Sequence, residues 1–192
     1  MTTNAIRSDR PYDHRNCQSL FGYAARVHAN SGAICQLCGC GGQEIDFDLW
    51  RQFTVEHLIG ESQGGHFHQI RVALSQRFPD LPEPALLVAV HRLHEQNTIS
   101  ACSFCNSTTS RDRAPRSMEE LIHAAQGDLD SVVAQVGATL HDILDRQREA
   151  VAWKLASMKP AFEREVLPGL VEQRQRWQPS AAPVYVRERR FG

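Results

Sequence analysis

The residues able to do chemistry fall into two groups. Cys35-x-x-Cys38 and Cys102-x-x-Cys105 offer four thiols in two tight turns, and four thiolates are the donor set of a closed, tetrahedral structural Zn²⁺ site. A redox Cys-x-x-Cys or a set of unrelated thiols accounts poorly for two such pairs in one chain of 192 residues. Cys40 can replace Cys38 as a ligand, although the x-x spacing favours Cys38. Cys17 lacks a partner at such spacing and reads as an ordinary thiol. The pairs are too far apart for a plain zinc ribbon, so a sub-structure must lie between them.

Within that interval the run Phe53-Thr54-Val55-Glu56-His57-Leu58-Ile59-Gly60 places a carboxylate immediately before a histidine at the end of an apolar strand. Asn106 directly follows the second cysteine pair. Hydrolysis of a phosphodiester needs a base for water, a cation for the developing charge, and ligands for that cation. His57 suits the base, because an ordinary imidazole pKa of about 6.5 leaves it largely neutral at pH 7. Glu56 and Asn106 are hard oxygen donors of the kind Mg²⁺ takes. The same residues are also compatible with a zinc-stabilised nucleic-acid or protein binding module in which the Glu-His pair is inert.

The order Cys35/Cys38, Val55-Glu56-His57-Leu58-Ile59, Gly64-Gly65, Asn97, Cys102/Cys105-Asn106 resembles the zinc-bearing HNH endonucleases, whose core is the ββα-metal fold. The resemblance spans about residues 20–116. It implies a metal-dependent endonuclease acting on DNA, with His57 as general base, Glu56 and Asn106 as ligands of a catalytic Mg²⁺ or Mn²⁺, and Cys35, Cys38, Cys102 and Cys105 on a structural Zn²⁺. It makes Asn97 the catalytic-site asparagine that fixes the loop between strand and helix. Two features depart from the family: Asp is usual where this chain has Glu56, and residues 66–96 form an insert before Asn97. A small nuclease of this type further resembles restriction or anti-phage effectors, which act in the cytoplasm. Arg111 and Arg113 follow Asn106 and become candidates for contact with DNA phosphates.

These residues need an α+β frame. Residues 1–18 read as a polar, Arg-rich arm and residues 19–116 as the nuclease core. Residues 117–192 read as a helical C-terminal extension and tail. Within the core, apolar spacing predicts a helix over 19–30, and residues 45–60 read as two short strands or a hairpin. Pro79, Pro82 and Pro84 make 66–82 a loop, followed by a helix over 84–96 on which His91 and His94 share a face. A capping box at Ser117 opens a short helix to about Gln126. A long helix then runs from about Leu129 to Met158, ended by Pro160, with a last helical piece near 161–176. Its apolar stripe packs on the core or serves a homodimer or partner protein.

Composition narrows the classes further. The chain has 42% hydrophobic and 22% charged residues, an ordinary globular balance. No apolar run reaches the ~18 residues of a membrane span, and the N-terminus lacks the apolar core of a signal peptide. A cytoplasmic location is therefore expected. The net charge of −1 lacks the strongly basic signature of many nucleic-acid binders. Residues 31–110, however, hold four Arg against eight acids, the bias expected around a catalytic cation.

Overall fold

The computed structural model describes residues 22–41, 46–109 and 113–176. The fold is α+β, mostly helical, with one two-stranded antiparallel sheet among the described residues. The chain divides into two units, Met1–Ala152 and Trp153–Gly192. The expected arm 1–18, the tail beyond 176, Cys17 and Arg111 lie outside the described residues.

In the first unit, helix α1 (Tyr23–Asn30) precedes the cysteine knuckle. A single helical turn, α2 (Phe47–Trp50), is opened by Asp46, whose carboxylate accepts from Leu49 N at 2.7 Å. This corrects the hairpin expected over 45–60. Only its second half is extended, because Asp46 offers the backbone an N-cap that a strand cannot use. Strand β1 (Phe53–His57) follows and pairs with β2 (Thr98–Cys102) in the register Phe53↔Cys102 to His57↔Thr98. The main-chain bond Leu58 N to Asn97 O, 2.9 Å, extends the pairing by one step. Strand β2 runs without a break into α5 (Ser103–Thr109), which packs on both strands.

The interval between the strands is helical. Residues 67–77 form α3 and Glu83–Asn97 form α4, so the loop expected over 66–82 shrinks to a short linker. Ile70, Ala73 and Leu74 recur at helical spacing and are buried, and Gln69 Oε1 accepts from His66 N at 3.1 Å to open the helix. The prolines do not break it. Pro79 follows the helix, Pro82 caps α4, and Pro84 sits in the first turn of α4, where no intrahelical N–H bond is lost. Helix α3 packs against α4 and against α6 (Met118–Ala124). Ser117 and Glu120 form the expected capping box, with Glu120 Oε2 accepting from Ser117 N at 2.7 Å.

The core gathers Ile59, Ile70, Leu74, Val90, Leu93, Met118 and Ile122 with the inner stripe of α7 (Leu129–Ala161). That stripe runs Val132, Val133, Val136, Leu140, Ile143, Leu144 and Val151. Pro160 does not end α7. The helix passes through it into a π-turn (Phe162–Val166) and then α8 (Leu167–Arg176). The missing proline N–H costs one rung of the ladder, and a π-turn is a common way for a helix to re-register. In the second unit no described residue is buried.

Candidate functional site

The cysteine knuckle is built by its backbone. Cys35 N donates to Cys40 O at 2.7 Å and Gly39 N to Cys35 O at 2.8 Å, closing a tight turn. The knuckle is then tied to β2. Gln36 N donates to Ser100 O at 2.8 Å, and Ser100 N donates to Gln36 Oε1 at 3.0 Å. Arg148 Nε on α7 holds it from behind through Gln36 O at 2.7 Å. The sulfurs of Cys35, Cys38, Cys40 and Cys102 consequently lie within 4.8 Å of one another, with Cys38 and Cys102 4.0 Å apart. A tetrahedron with Zn–S bonds of about 2.3 Å needs sulfurs about 3.8 Å apart. The donor set therefore fits a structural zinc ion.

Cys105 stands next to this group rather than within it. Its thiol is in hydrogen-bonding reach of Cys38 and Cys102, and its own N–H points at Cys102 Sγ, 3.4 Å away. Five sulfurs thus surround a four-coordinate position, with exposed Cys40 where the sequence spacing favoured Cys105. Burial pushes the thiols of Cys105, Cys40 and Cys38 upward, and neighbouring sulfurs add to this for Cys105 and Cys40. Burial also opposes ionisation of Cys35, but the N–H groups of Cys102, Cys38 and Leu37 outweigh it and bring that thiol to about 7. Such crowding of latent anions is relieved by a divalent cation, which holds them as thiolates.

At the opposite end of the strand pair are Glu56 and His57. Strand alternation puts Thr54 and Glu56 on one face and Phe53, Val55 and His57 on the other. Asn106, in the helix after β2, donates from Nδ2 to Thr54 Oγ1 at 2.9 Å, and Thr54 in turn donates to Ala101 O at 3.1 Å. Asn106 therefore stands over the face that carries Glu56, about 7 Å along the strand from its direct partner Thr54. Its amide nitrogen is engaged, which leaves the oxygen, the atom a hard cation takes, on the other edge of the group. Burial alone raises the Glu56 carboxyl to about 7.

His57 meets a group of rings. Its centroid lies 4.6 Å from that of His66 and 5.8 Å from that of His94, while Phe67 packs 5.6 Å from His94 and 4.8 Å from His91. Burial, reinforced by His66 and His94, lowers the His57 pKa to about 4. His57 is therefore neutral at physiological pH, the form able to accept a proton. His66 and His94 come from the insert, and sequence reading did not connect them to His57. The i, i+3 spacing of His91 and His94 was visible, but their facing partner was not.

Asn97 organises the connection. Fully buried, it accepts from Ile59 N at 2.9 Å through Oδ1 and donates from Nδ2 to Ile59 O at 3.0 Å and Gly65 O at 2.9 Å. One carboxamide thus clamps both ends of the 59–65 loop that follows His57. Gly64 sits at φ 79°, and a Cβ on Gly65 would lie 1.6 Å from the Ile59 carbonyl oxygen. The glycine pair answers two separate demands, a left-handed turn and a backbone contact with no room for a side chain. Gln63, in the same loop, exchanges two hydrogen bonds with the backbone of Ala114, at 2.8 and 2.9 Å, and so sets the neighbouring, exposed Arg113 beside this loop.

Comparison with family models, with curated proteins and with solved structures gives no match for the chain. The functional reading rests on this geometry. No helix among the described residues is long and apolar enough to cross a membrane.

Proposed function

We propose that the chain is a metal-dependent HNH-type endonuclease that hydrolyses DNA phosphodiester bonds, built on a ββα-metal core stapled by structural zinc. The observation that carries this reading is one arrangement. An antiparallel strand pair ends in Glu56-His57 and runs directly into a helix whose Asn106 stands over the Glu56 face. The thiol cluster braces the far end of that pair, and Asn97 locks the loop beyond His57.

Each side chain has a task in such a reaction. His57, neutral and oriented among rings, takes the proton from the attacking water. Glu56 and Asn106 are the residues that would hold Mg²⁺ or Mn²⁺, and the donor set fits: a carboxylate and an amide oxygen, both half-buried. When bound, that cation supplies neutralisation of charge developing on the phosphate. The Glu56 carboxyl has lost part of its hydration without gaining a cationic side chain, a condition a divalent ion reverses. Arg113, next to the Ala114 that Gln63 holds, would contact a phosphate near the scissile one. A role in restriction or anti-phage defence accords with the same reading.

Incubation with plasmid DNA and Mg²⁺ or Mn²⁺, beside the His57→Ala variant, tests the proposal. Nicked or linear product from the native chain alone is the expected result. Equal inactivity of both proteins across metals and DNA forms overturns it.

A further inference from the structure

Beside the His57 ring group, between α1 and α4, lies a cavity of about 540 Å³, within the range of small-molecule sites. Tyr23, Arg26 and Asn30 reach it from one face of α1, and His91, His94 and Glu95 from one face of α4. Its interior is a set of flat rings. Tyr23 and His94 lie 5.3 Å apart at 33°, and Phe67 closes the same end edge-on to His94. The rim is polar, with an exposed guanidinium, an amide and a carboxylate. The Tyr23 hydroxyl oxygen is buried without a hydrogen-bond partner. Thr98 is the side chain that acts most on that hydroxyl, but its own proton is directed at His94 O, 2.9 Å away. A buried, orphaned hydroxyl in a ring-lined slot is a donor and acceptor awaiting a ligand.

The His94 ring is shared, forming a wall of the cavity while standing 5.8 Å from the His57 ring. A ligand in the slot is therefore one ring away from the water-activating group. Planar walls suit a planar heteroaromatic ring, and every nucleobase offers such a face whatever its sequence. The polar rim suits its hydrogen-bonding edge, and Arg26 suits a phosphate.

We infer that this cavity receives a nucleobase turned out of the DNA stack, from the strand whose phosphate lies at His57. The inference rests on the nuclease reading and adds a substrate preference to it. Turning a base outward costs least where it is mispaired, unpaired or single-stranded, so cleavage is fastest next to such sites. The same chemistry fits a free mononucleotide, and the test separates the two sources.

The probe is 2-aminopurine, whose fluorescence rises when it leaves the stack, placed singly at successive positions around the cleavage site of a duplex. The full-length His57→Ala chain is added in Mg²⁺ to saturation, followed by anisotropy. The expected result is a rise of at least threefold at one position adjacent to the scissile phosphate. In the same background, Tyr23→Ala and Phe67→Ala each abolish that rise at saturation, whereas Tyr23→Phe, which keeps the ring, retains it. A bound duplex with no rise at any position overturns the inference. If the native chain still cleaves DNA, the nuclease reading survives that result. A rise that persists in both alanine variants also overturns it. Saturable binding of 2-aminopurine deoxyribonucleoside monophosphate without a rise in any duplex assigns the cavity to a free nucleotide instead. Absence of both DNA binding and cleavage removes the inference and the nuclease reading together.

Discussion

The two ends of the β1–β2 pair pose the same electrostatic problem and answer it differently. At the Cys102 end, several sulfurs crowd around one point, and burial with mutual repulsion disfavours the charged forms of Cys105 and Cys40. At the Thr98 end, a single carboxylate, Glu56, loses hydration with one amide standing over its face. A shell of four or five soft donors would close around an ion and leave no place for a substrate, which suits a brace for the fold. One carboxylate and one amide leave most of a hard cation's positions to water or phosphate. The contrast between closed and open shells, more than the residue types alone, is what the proposed function uses to separate a structural end from a reactive one.

Metal removal is the strongest way to break that comparison. Structural zinc contributes apparent free energies of order 10 kcal/mol in small metal-folded domains, which exceeds the whole stability of many domains. Stripping zinc with a strong chelator, or the change Cys35→Ala, is expected to abolish the cooperative unfolding transition followed by circular dichroism. Exchanging Mg²⁺ for buffer is expected to leave that transition in place. Cys40→Ala should cost much less, because the Cys105 sulfur already lies within reach of Cys38 and Cys102 and takes over the fourth position. Zinc content below about one ion per chain in freshly purified protein sinks the assignment of the closed end.

The open end should respond in rate rather than in fold. His57→Ala is expected to lower the DNA cleavage rate by about 10²–10⁴-fold, the usual worth of a positioned base, while the melting temperature changes little. A variant that unfolds instead marks His57 as a packing residue of the ring group. Asn97→Ala falls between the ends. It deletes three buried hydrogen bonds and orphans the Ile59 and Gly65 backbone, at a cost of about 3 kcal/mol. The denaturant midpoint should drop accordingly with an unchanged m-value. A shift under about 0.5 kcal/mol, typical of a surface change, contradicts the clamp.

The two ends also differ in how much of them could be read from sequence. The thiols are legible because Cys35/Cys38 and Cys102/Cys105 are local pairs, and local spacing survives folding. Even there, Cys40 was weighed only as a substitute for Cys38, whereas it joins Cys38 and stands in the place expected for Cys105, since a backbone turn closed by Cys35 N and Cys40 O determines where its sulfur points. Strand β1 was legible from its apolar, β-branched content, and α4 as the helix expected over 84–96. Helix α3 was hidden behind Pro79, Pro82 and Pro84, although Ile70, Ala73 and Leu74 carried the helical spacing all along. The partners of the open end come from far away in sequence. Thr54 meets Asn106, and His57 meets His66 and His94. The sequence offered Asn106 as a companion of Glu56 and showed the i, i+3 spacing of His91 and His94, but neither Thr54 nor the ring partners of His57 left a local mark.

The smallest expected effect sharpens the comparison most, because it asks whether Glu56 waits for a cation. Its folded-state pKa is raised to about 7 from an ordinary 4.5, by burial. For a carboxyl shifted in this direction, the folded state holds its proton more tightly than the unfolded state. The associated stability is therefore fully present below about 4.5 and is lost as pH rises through 4.5 to about 7. At pH 8 without divalent ions, neutral Glu56→Gln should thus be more stable than the native chain, and at pH 4 the two should be equal. The gain is about 1 kcal/mol, well under the roughly 3.4 kcal/mol that a rise from 4.5 to about 7 would carry undiscounted at ~1.4 kcal/mol per pH unit, because about half the group still reaches water. Saturating Mg²⁺ at matched ionic strength should reverse the order. At 100 times its dissociation constant, an ion bound only by the folded state adds about 2.7 kcal/mol, and only the native chain keeps the carboxylate that binds it. Urea titrations of both proteins with and without Mg²⁺ read this directly. Equal stabilisation of the two by Mg²⁺ would remove Glu56 from the cation's ligands and leave a dehydrated carboxyl with no ion to serve.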